Sequence, residues 1–241
     1  MQGNEEHMKN WKRGLRDGIP IALGYVPVSF TFGLMAVDAG LTWWQAVLIS
    51  LLNLTSAGQF AGLDILAAGG AYMEMALTQL VINLRYALMS VSLSQKVDEK
   101  FGTGHRLFYG FFVTDEIFGV AASRKGEIDT HYFRGLATLP LLGWMSGTLA
   151  GALLGGVLPP LVQSAMGIAI YGMFLAIIIP QARDDSRYLK VIVLAVLLSC
   201  AFRYVPVLDR VSSGFVIIIC AVVASCVGAI LYPVEDEDSP S

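Results

Sequence analysis

Three short groups of polar residues interrupt long apolar runs, and they contain residue types that bind small charged molecules. The first group centres on Arg85, the only charged residue in the apolar stretch 75–94. A central arginine in a membrane-spanning helix costs about 3 kcal/mol on insertion scales. Arg85 therefore has either a structural role, neutralised by a nearby carboxylate, or a place in a polar site. We favour an interior polar site, with Asn83 as a neighbouring hydrogen-bonding group.

The second group is the run 53–60, in which polar and small residues follow an apolar segment. A helix that unwinds here would present N–H groups to a carboxylate and carbonyl groups to a cation. Alternatively, such side chains bond to the preceding turn or to a neighbouring helix, which suits Thr55 best. We predict a substrate site that includes Asn53, Ser56, Gly58, Gln59 and Phe60.

The third group, 114–116, contains two adjacent acids inside an apolar stretch. Neighbouring residues on a helix point about 100° apart, so only one of the two carboxylates can face a given partner. We predict that Asp115 pairs with Arg85 and that Glu116 takes up and releases a proton, because a carboxyl group in a low-dielectric environment binds protons more readily. The alternative is an acidic pair that reaches water at a helix end.

The elements that must position these groups are membrane helices. The chain is 15% charged, whereas soluble domains are about 25% charged. Its apolar spans lie near 18–39, 42–62, 71–95, 105–123, 133–157, 160–181, 188–206 and 211–232. We predict an all-α polytopic integral membrane protein with about seven to eight transmembrane helices, some of them broken. The segment 42–62 either crosses the membrane or re-enters it.

We predict that the chain is organised around a single membrane domain, 18–232. An N-terminal segment, 1–17, precedes it and an acidic tail, 233–241, follows it. Basic residues precede the first span, whereas the turn at 38–43 has none, which predicts a cytoplasmic N-terminus. The basic residues between the third and fourth spans fit this orientation less well.

Two further patterns concern helix packing. Glycines recur every four residues in the fifth span, at Gly143, Gly147, Gly151 and Gly155. This spacing lets two helix backbones approach closely in lipid, so the stripe should face another span or a second subunit. A weak similarity also relates the two halves at a shift of 118 residues, which pairs Arg85 with Arg203. It predicts an internal two-fold repeat, either parallel or inverted.

Several function classes lack the residues they require. The three histidines lie in the N-terminal segment or in loops, which argues against a metal site within the membrane: His7, His105 and His131. The three cysteines have no CxxC spacing, and no nucleotide-binding or nucleophile–base motif is present. We therefore expect no enzyme activity and no cofactor. The sequence has no basic patch of the kind that predicts nucleic-acid binding.

The runs 56–60, 83–86 and 114–116 together resemble the AzlC family of branched-chain amino acid exporters. The segment 18–27 is similar to the first span of that family. The resemblance implies a multi-pass protein of a prokaryotic plasma or inner membrane. It also implies a small, separately encoded partner subunit of the AzlD type and export of leucine, isoleucine or valine.

A zwitterionic, apolar substrate suits these residues. Arg85 and the backbone of 56–59 would bind its carboxylate, and Asn53, Asn83 or Asp115 its ammonium group. Phe60 and Phe112 would contact its side chain. Without a nucleotide site, export would depend on an ion or substrate gradient. The alternatives are a channel and a structural subunit of a membrane complex for small metabolites.

Overall fold

The described part of the chain is helical, as predicted. The computed structural model describes residues 2–98, 101–159, 161–162, 185–206 and 210–232, together with 168, 172, 175, 178–179, 182–183, and 208. The helices are α1 (Gln2–Asp38), α2 (Trp43–Leu52), α3 (Ala57–Ala67), α4 (Tyr72–Ser94), α5 (Thr103–Gly110), α6 (Asp115–Ser123), α7 (Thr130–Leu154) with a 3-10 turn (Gly155–Val157), α8 (Ser186–Tyr204) and α9 (Ser213–Leu231). An isolated bridge joins Val97 to Ile128.

Four stretches are long and apolar enough to cross a membrane. They are Glu5–Asp38, Tyr72–Ser94, Thr130–Val157 and Ser213–Leu231. The total of seven or eight crossings stays a prediction, because much of the predicted span 160–181 lies outside the described residues, as does the acidic tail.

The first two predicted spans have different local structures. The segment 1–17 is not a separate element, because α1 begins at Gln2 and continues through Pro20 and Pro27. The segment 42–62 is broken, since α2 ends at Leu52 and α3 begins at Ala57. At this break Ser56 has φ +48°, a left-handed conformation that residues other than glycine seldom adopt.

The prediction of one continuous apolar span over 105–123 is wrong, because the segment forms two helices. Helix α5 ends at Gly110 and α6 starts at Asp115, after a cap formed by Thr114. The Thr114 hydroxyl accepts a hydrogen bond from the Ile117 N–H, which starts a new helix. Helix α5 is about 12 Å long at 1.5 Å per residue, much shorter than the hydrocarbon core of about 30 Å.

The chain divides into two units: Met1–Leu63 with Asn83–Ile170 (unit 1), and Asp64–Ile82 with Tyr171–Ser241 (unit 2). In unit 1, α1 packs along the length of α7. A Cβ atom on Gly14 would meet the backbone of Tyr132, and one on Gly33 would meet the backbone of Thr148. The two helices therefore run in the same direction.

The predicted glycine stripe lies in this contact, and its partner is α1 of the same chain. A Cβ atom on Gly143 would come within 2.9 Å of the Ala22 carbonyl oxygen. The backbone of Val26 would block a Cβ on Gly147, and the backbone of Phe30 would block one on Gly151. The Leu34 side chain would block a Cβ on Gly155. Because a methyl group at most of these positions would meet backbone, the residues must stay small.

In unit 2, α8 and α9 pack against each other. Glu74, in the first turn of α4, is buried, and its Oε1 accepts a hydrogen bond from the Gly214 N–H at 3.1 Å. Gly214 is at the N-terminal end of α9, where a carboxylate is favourable because the first N–H groups of a helix have no partner within it. Glu74 therefore holds the start of α9.

Candidate functional site

Arg85 and Asp115 form an ion pair in unit 1. Arg85 Nη1 lies 2.9 Å from Asp115 Oδ2, so the predicted pairing is present in the structure. However, 43% of the Arg85 side chain and 26% of the Asp115 side chain are exposed. Both side chains are therefore partly accessible in this chain by itself, and the interior position of Arg85 stays a prediction. The guanidinium contacts Asp115 and Tyr86, and the rest of the side chain is partly exposed.

Tyr86 connects this ion pair to the break between α2 and α3. Arg85 Nη2 donates to the Tyr86 hydroxyl at 3.1 Å, and the Arg85 guanidinium carbon lies 4.9 Å from the centre of the Tyr86 ring. The Tyr86 hydroxyl donates to the Thr55 carbonyl oxygen at 3.2 Å. A backbone carbonyl freed by the helix break thus receives its hydrogen bond from the residue next to the arginine.

The second carboxylate of the motif has a different partner. Tyr25, on α1, places its hydroxyl 2.6 Å from Glu116 Oε2 and 2.6 Å from Thr114 Oγ1. The hydroxyl has one proton, and the carboxylate is the stronger acceptor of the two. Asp115 faces Arg85 on α4, whereas Glu116 faces Tyr25 on α1, as expected for neighbours that point about 100° apart.

Helix α6 explains how two acids are kept close together. Asp115 and Glu116 occupy its first turn, directly after the cap Thr114. The unpaired N–H groups at a helix start favour negative charge, which offsets part of the repulsion between the carboxylates. The break at 111–114 therefore has a chemical consequence, because a continuous helix would place both acids in its interior without this stabilisation.

Gln59 and Phe60 belong to a buried core beside α1 and α7. Gln59 is 1% exposed. Its Nε2 donates to Ser50 Oγ at 2.9 Å, and Ser50 Oγ lies 2.8 Å from Thr148 Oγ1 on α7. Phe60 packs edge-on against Phe32, with 5.6 Å between ring centres. Their partners are uncharged and lie on α1, α2 and α7, so these two side chains fix α3 against the core.

The remaining predicted residues lie around the helix break. Asn53 caps α2, and its Oδ1 accepts from the Thr55 hydroxyl at 2.8 Å. Gly58 is buried in the first turn of α3, and Asn83 is half-buried on α4, two residues before Arg85. Among the residues that the structure describes, buried Ser56 Oγ and Gln59 Oε1 have no hydrogen-bond partner.

Sequence reasoning missed four residues that hold the site together: Tyr25, Tyr86 as a hydrogen-bonding group, Ser50 and Thr148. Each carries a hydroxyl within an apolar run, which is a weak signal because such hydroxyls commonly bond within their own helix. Their partners lie far away in the sequence, on helices whose packing the sequence does not specify.

The arrangement provides one positive and two negative groups next to an irregular backbone. A guanidinium with an open side binds a carboxylate, and an aspartate binds an ammonium group. A tyrosine–carboxylate contact is able to hold or pass on a proton. These properties suit the binding of a small zwitterion.

The chain is similar to known membrane proteins. The model of the AzlC protein family matches residues 20–158. The inner membrane protein YgaZ of Escherichia coli is 29% identical over 173 residues, which are 69% of this chain and 71% of that protein. A membrane protein of Archaeoglobus fulgidus is 30% identical over 196 residues, 80% of this chain and 84% of the relative. No solved structure matches.

Proposed function

Because this chain belongs to the AzlC family, we propose that it is the large subunit of a secondary transporter that exports branched-chain and other apolar amino acids. Its membrane location agrees with four helices long and apolar enough to cross a bilayer and with relatives that are named membrane proteins. The N-terminus would be cytoplasmic in a prokaryotic plasma or inner membrane.

The observation that carries this proposal is the half-open ion pair of Arg85 and Asp115 beside the α2–α3 break. An amino acid carries a carboxylate and an ammonium group a few bonds apart. Its carboxylate would bind Arg85, and its ammonium group would bind Asp115. The substrate then replaces one ion pair with two, so no charge is left without a partner.

The neighbouring backbone and amides would complete the site. The Thr55 carbonyl is linked to Arg85 through Tyr86, Asn53 bonds to the Thr55 hydroxyl, and Asn83 precedes Arg85 by two residues on α4. These groups would offer acceptors for the ammonium group. Ser56 lies directly before α3, whose first N–H groups favour negative charge. The Gly58 N–H already donates to the Thr55 carbonyl oxygen. Gln59 and Phe60 would act by holding α3 in place, a change from the direct contact that their sequence position suggested.

Glu116 would couple transport to a proton gradient. Asp115 has Arg85 as its charge partner, whereas Glu116 faces the neutral Tyr25 hydroxyl. Among the described residues Glu116 makes no salt bridge, so it would take up a proton without breaking an ion pair. A potential of 100 mV supplies about 2.3 kcal/mol for each charge that moves inward.

A small AzlD-type subunit would complete the transporter. Near Arg85, helix α4 exposes large apolar side chains, among them Leu84 and Leu88. Such a surface suits lipid or another apolar helix. A partner helix on this face would cover the open side of Arg85 and Asp115.

The contact of α1 with α7 supports a parallel duplication of the chain. Gly33 faces the backbone of Thr148, and Gly151 faces the backbone of Phe30. Both Gly33 with Gly151 and Phe30 with Thr148 are separated by 118 residues, the shift at which the halves resemble each other. This reciprocal contact is the one expected of two related helices around a pseudo-two-fold axis, an arrangement common in transporters.

Counterflow in proteoliposomes tests the function. The purified chain, with and without its small partner subunit, is reconstituted in vesicles loaded with unlabelled leucine, and uptake of labelled leucine is measured. Saturable uptake that unlabelled isoleucine and valine inhibit is the expected result. Ohmic current without exchange would make the protein a channel. No flux from the complete complex would favour a structural subunit.

A further inference from the structure

Two of the three histidines, far apart in the sequence, meet at the N-terminal ends of α1 and α7. The rings of His7 and His131 are stacked, with centres 4.1 Å apart and planes 29° from parallel. Asp129 joins them, and one ligand atom from each of the three residues lies within 4.8 Å of the other two. The sequence suggested no metal site within the membrane, but this cluster is outside the central part of either helix.

Asp129 is placed unusually for a residue at the start of a helix. It is the N-cap of α7, yet its side chain makes no capping hydrogen bond. Its Oδ2 instead accepts from Asn10 Nδ2 at 3.1 Å. Asparagine or aspartate at an N-cap normally bonds to the second or third N–H of the helix. The carboxylate is therefore turned towards α1 and is oriented there by a neighbour, as carboxylate ligands of metal ions are.

We propose that His7, Asp129 and His131 bind a divalent transition-metal ion of the Zn²⁺ class. Two imidazoles and one carboxylate are a ligand set that Zn²⁺ and its neighbours in the first transition row prefer, and a fourth position remains for water. Mg²⁺ and Ca²⁺ require more oxygen ligands than this cluster offers. The exposed Arg134 lines a surface pocket together with His7 and His131. Because its positive charge opposes binding of a cation, the negative charge of Asp129 is needed to make binding favourable.

The bound ion would fasten the start of α1 to the start of α7. These ends lie beyond the stretch in which the stripe glycines of α7 contact α1. There Gly14 and Gly135 bring the two backbones together, and the hydrogen bonds Asn10–Asp129 and Tyr132–Asp17 add polar contacts. A metal bridge would add a link between residues 124 positions apart in the chain, and binding to the folded state alone would stabilise that state. The proposal is independent of transport.

Zn²⁺ titration of the intact protein tests it. The full chain is purified with a tag that lacks histidine, treated with a chelator and titrated with Zn²⁺ by calorimetry, with Mg²⁺ as a second probe. The expected result is saturable binding of one Zn²⁺ per chain, a higher unfolding temperature with Zn²⁺, and no response to Mg²⁺. The variants His7→Ala and His131→Ala should weaken binding about tenfold or more. Asp129→Asn, which keeps a side-chain oxygen able to accept from Asn10, should weaken it as well.

His105→Ala is the matched control, because this third histidine stacks on Tyr109 at the start of α5. It should bind Zn²⁺ with unchanged affinity and show the same rise in unfolding temperature. Gel filtration checks that each variant is folded, and His7→Gln replaces His7→Ala if that variant aggregates. Saturable binding that survives the combined loss of His7 and His131 would overturn the proposal, as would absence of saturable binding to the wild type.

Discussion

Arg85 is held by two neighbours of different chemistry, and each makes a separate contribution. Asp115 balances its charge, and Tyr86 supplies both a hydrogen bond and the face of an aromatic ring. Arginine serves both partners at once because its guanidinium is a planar fork, whereas lysine has a single compact charge. The residue type is therefore as important here as the positive charge.

We predict that Arg85→Ala lowers leucine counterflow to the level of empty vesicles while the protein still inserts in the membrane. The substrate carboxylate would lose its cation, and Asp115 would keep a charge without a partner. Arg85→Lys should restore little activity, since it cannot bind a carboxylate and contact Tyr86 in the same geometry. Counterflow of both variants, at matched protein content, measures this.

Arg187→Ala provides the control for a generic loss of an ion pair. Arg187 pairs with Asp185 at 3.6 Å in unit 2, and 61% of its side chain is exposed. Exposed pairs of this kind contribute about 0–1 kcal/mol, so its removal should leave exchange nearly normal. Near-normal exchange by Arg85→Ala would instead remove the centre of the proposed site.

Replacing Asp115 and replacing Glu116 should affect transport in different ways. We predict that Glu116→Gln keeps leucine exchange but loses acceleration by an imposed pH gradient. A glutamine oxygen still accepts from the Tyr25 hydroxyl, so the local structure is retained while the titrating group is lost. Asp115→Asn should damage both activities, because it removes the charge partner of Arg85.

These variants are measured by labelled-leucine flux with and without a pH difference across the vesicle membrane. Glu127→Gln, an exposed glutamate in the loop before α7, is the control and should respond to the gradient normally. If a pH gradient accelerated leucine flux through Glu116→Gln as much as through the wild type, the coupling group would lie elsewhere. If leucine flux through the wild type did not change with the pH gradient, proton coupling would be excluded.

At the scale of helices, the contact of α1 with α7 is the main packing element of unit 1. The aromatic pair Tyr25 and Trp144 adds an edge contact, with 5.1 Å between ring centres, to the glycine-mediated approach. This packing also sets the position of Tyr25, the partner of Glu116. Stability and site geometry therefore depend on the same two helices.

We predict that Gly151→Ala destabilises the protein by about 1–3 kcal/mol, the usual cost of overpacking a tight contact. The added methyl group would meet the backbone of Phe30, which cannot move aside as a flexible side chain would. Gly24→Ala on α1 is the control, because a Cβ atom there has nothing within 4 Å. Thermal unfolding in detergent compares the two. Equal unfolding temperatures would mean that the stripe is not a close helix contact.

At the scale of the molecule, the parallel course of α1 and α7 fixes which chain segments share a membrane side. Helix α1 has 37 residues, which corresponds to about 55 Å and exceeds the thickness of the hydrocarbon core. Its N-terminal part therefore extends beyond the membrane together with the start of α7. This conclusion does not depend on the total number of crossings.

We predict that cysteines placed at Lys9 and Lys125 react with an impermeant reagent from the same side, the cytoplasmic one. A cysteine at Ala39, after the end of α1, should react from the opposite side. The three positions are exposed, and the native Cys200, Cys220 and Cys226 are first replaced by alanine. Labelling in intact cells and in inverted vesicles distinguishes the two sides. Opposite sidedness of Lys9 and Lys125 would contradict a parallel α1 and α7.

The sequence by itself was enough for the helical class, the family and the three polar motifs. These follow from local information: composition, apolar run length and the residue types of a motif. The ion pair of Arg85 with Asp115 was also predictable, because a charge in an apolar run needs a partner and the sequence offers few acids nearby. The glycine period likewise predicted a close helix contact without identifying its partner.

The tertiary structure alone decided how these parts meet. It divided the predicted span 105–123 at Thr114, so that both acids lie in the first turn of a helix. It paired Glu116 with Tyr25, placed Gln59 in the core, left Arg85 partly exposed and brought His7 to His131. The contact of Glu116 with Tyr25 joins residues 91 positions apart and that of His7 with His131 joins residues 124 apart, and both depend on how helices pack. Packing is set by the shapes of whole helix faces, which no local pattern of residues specifies.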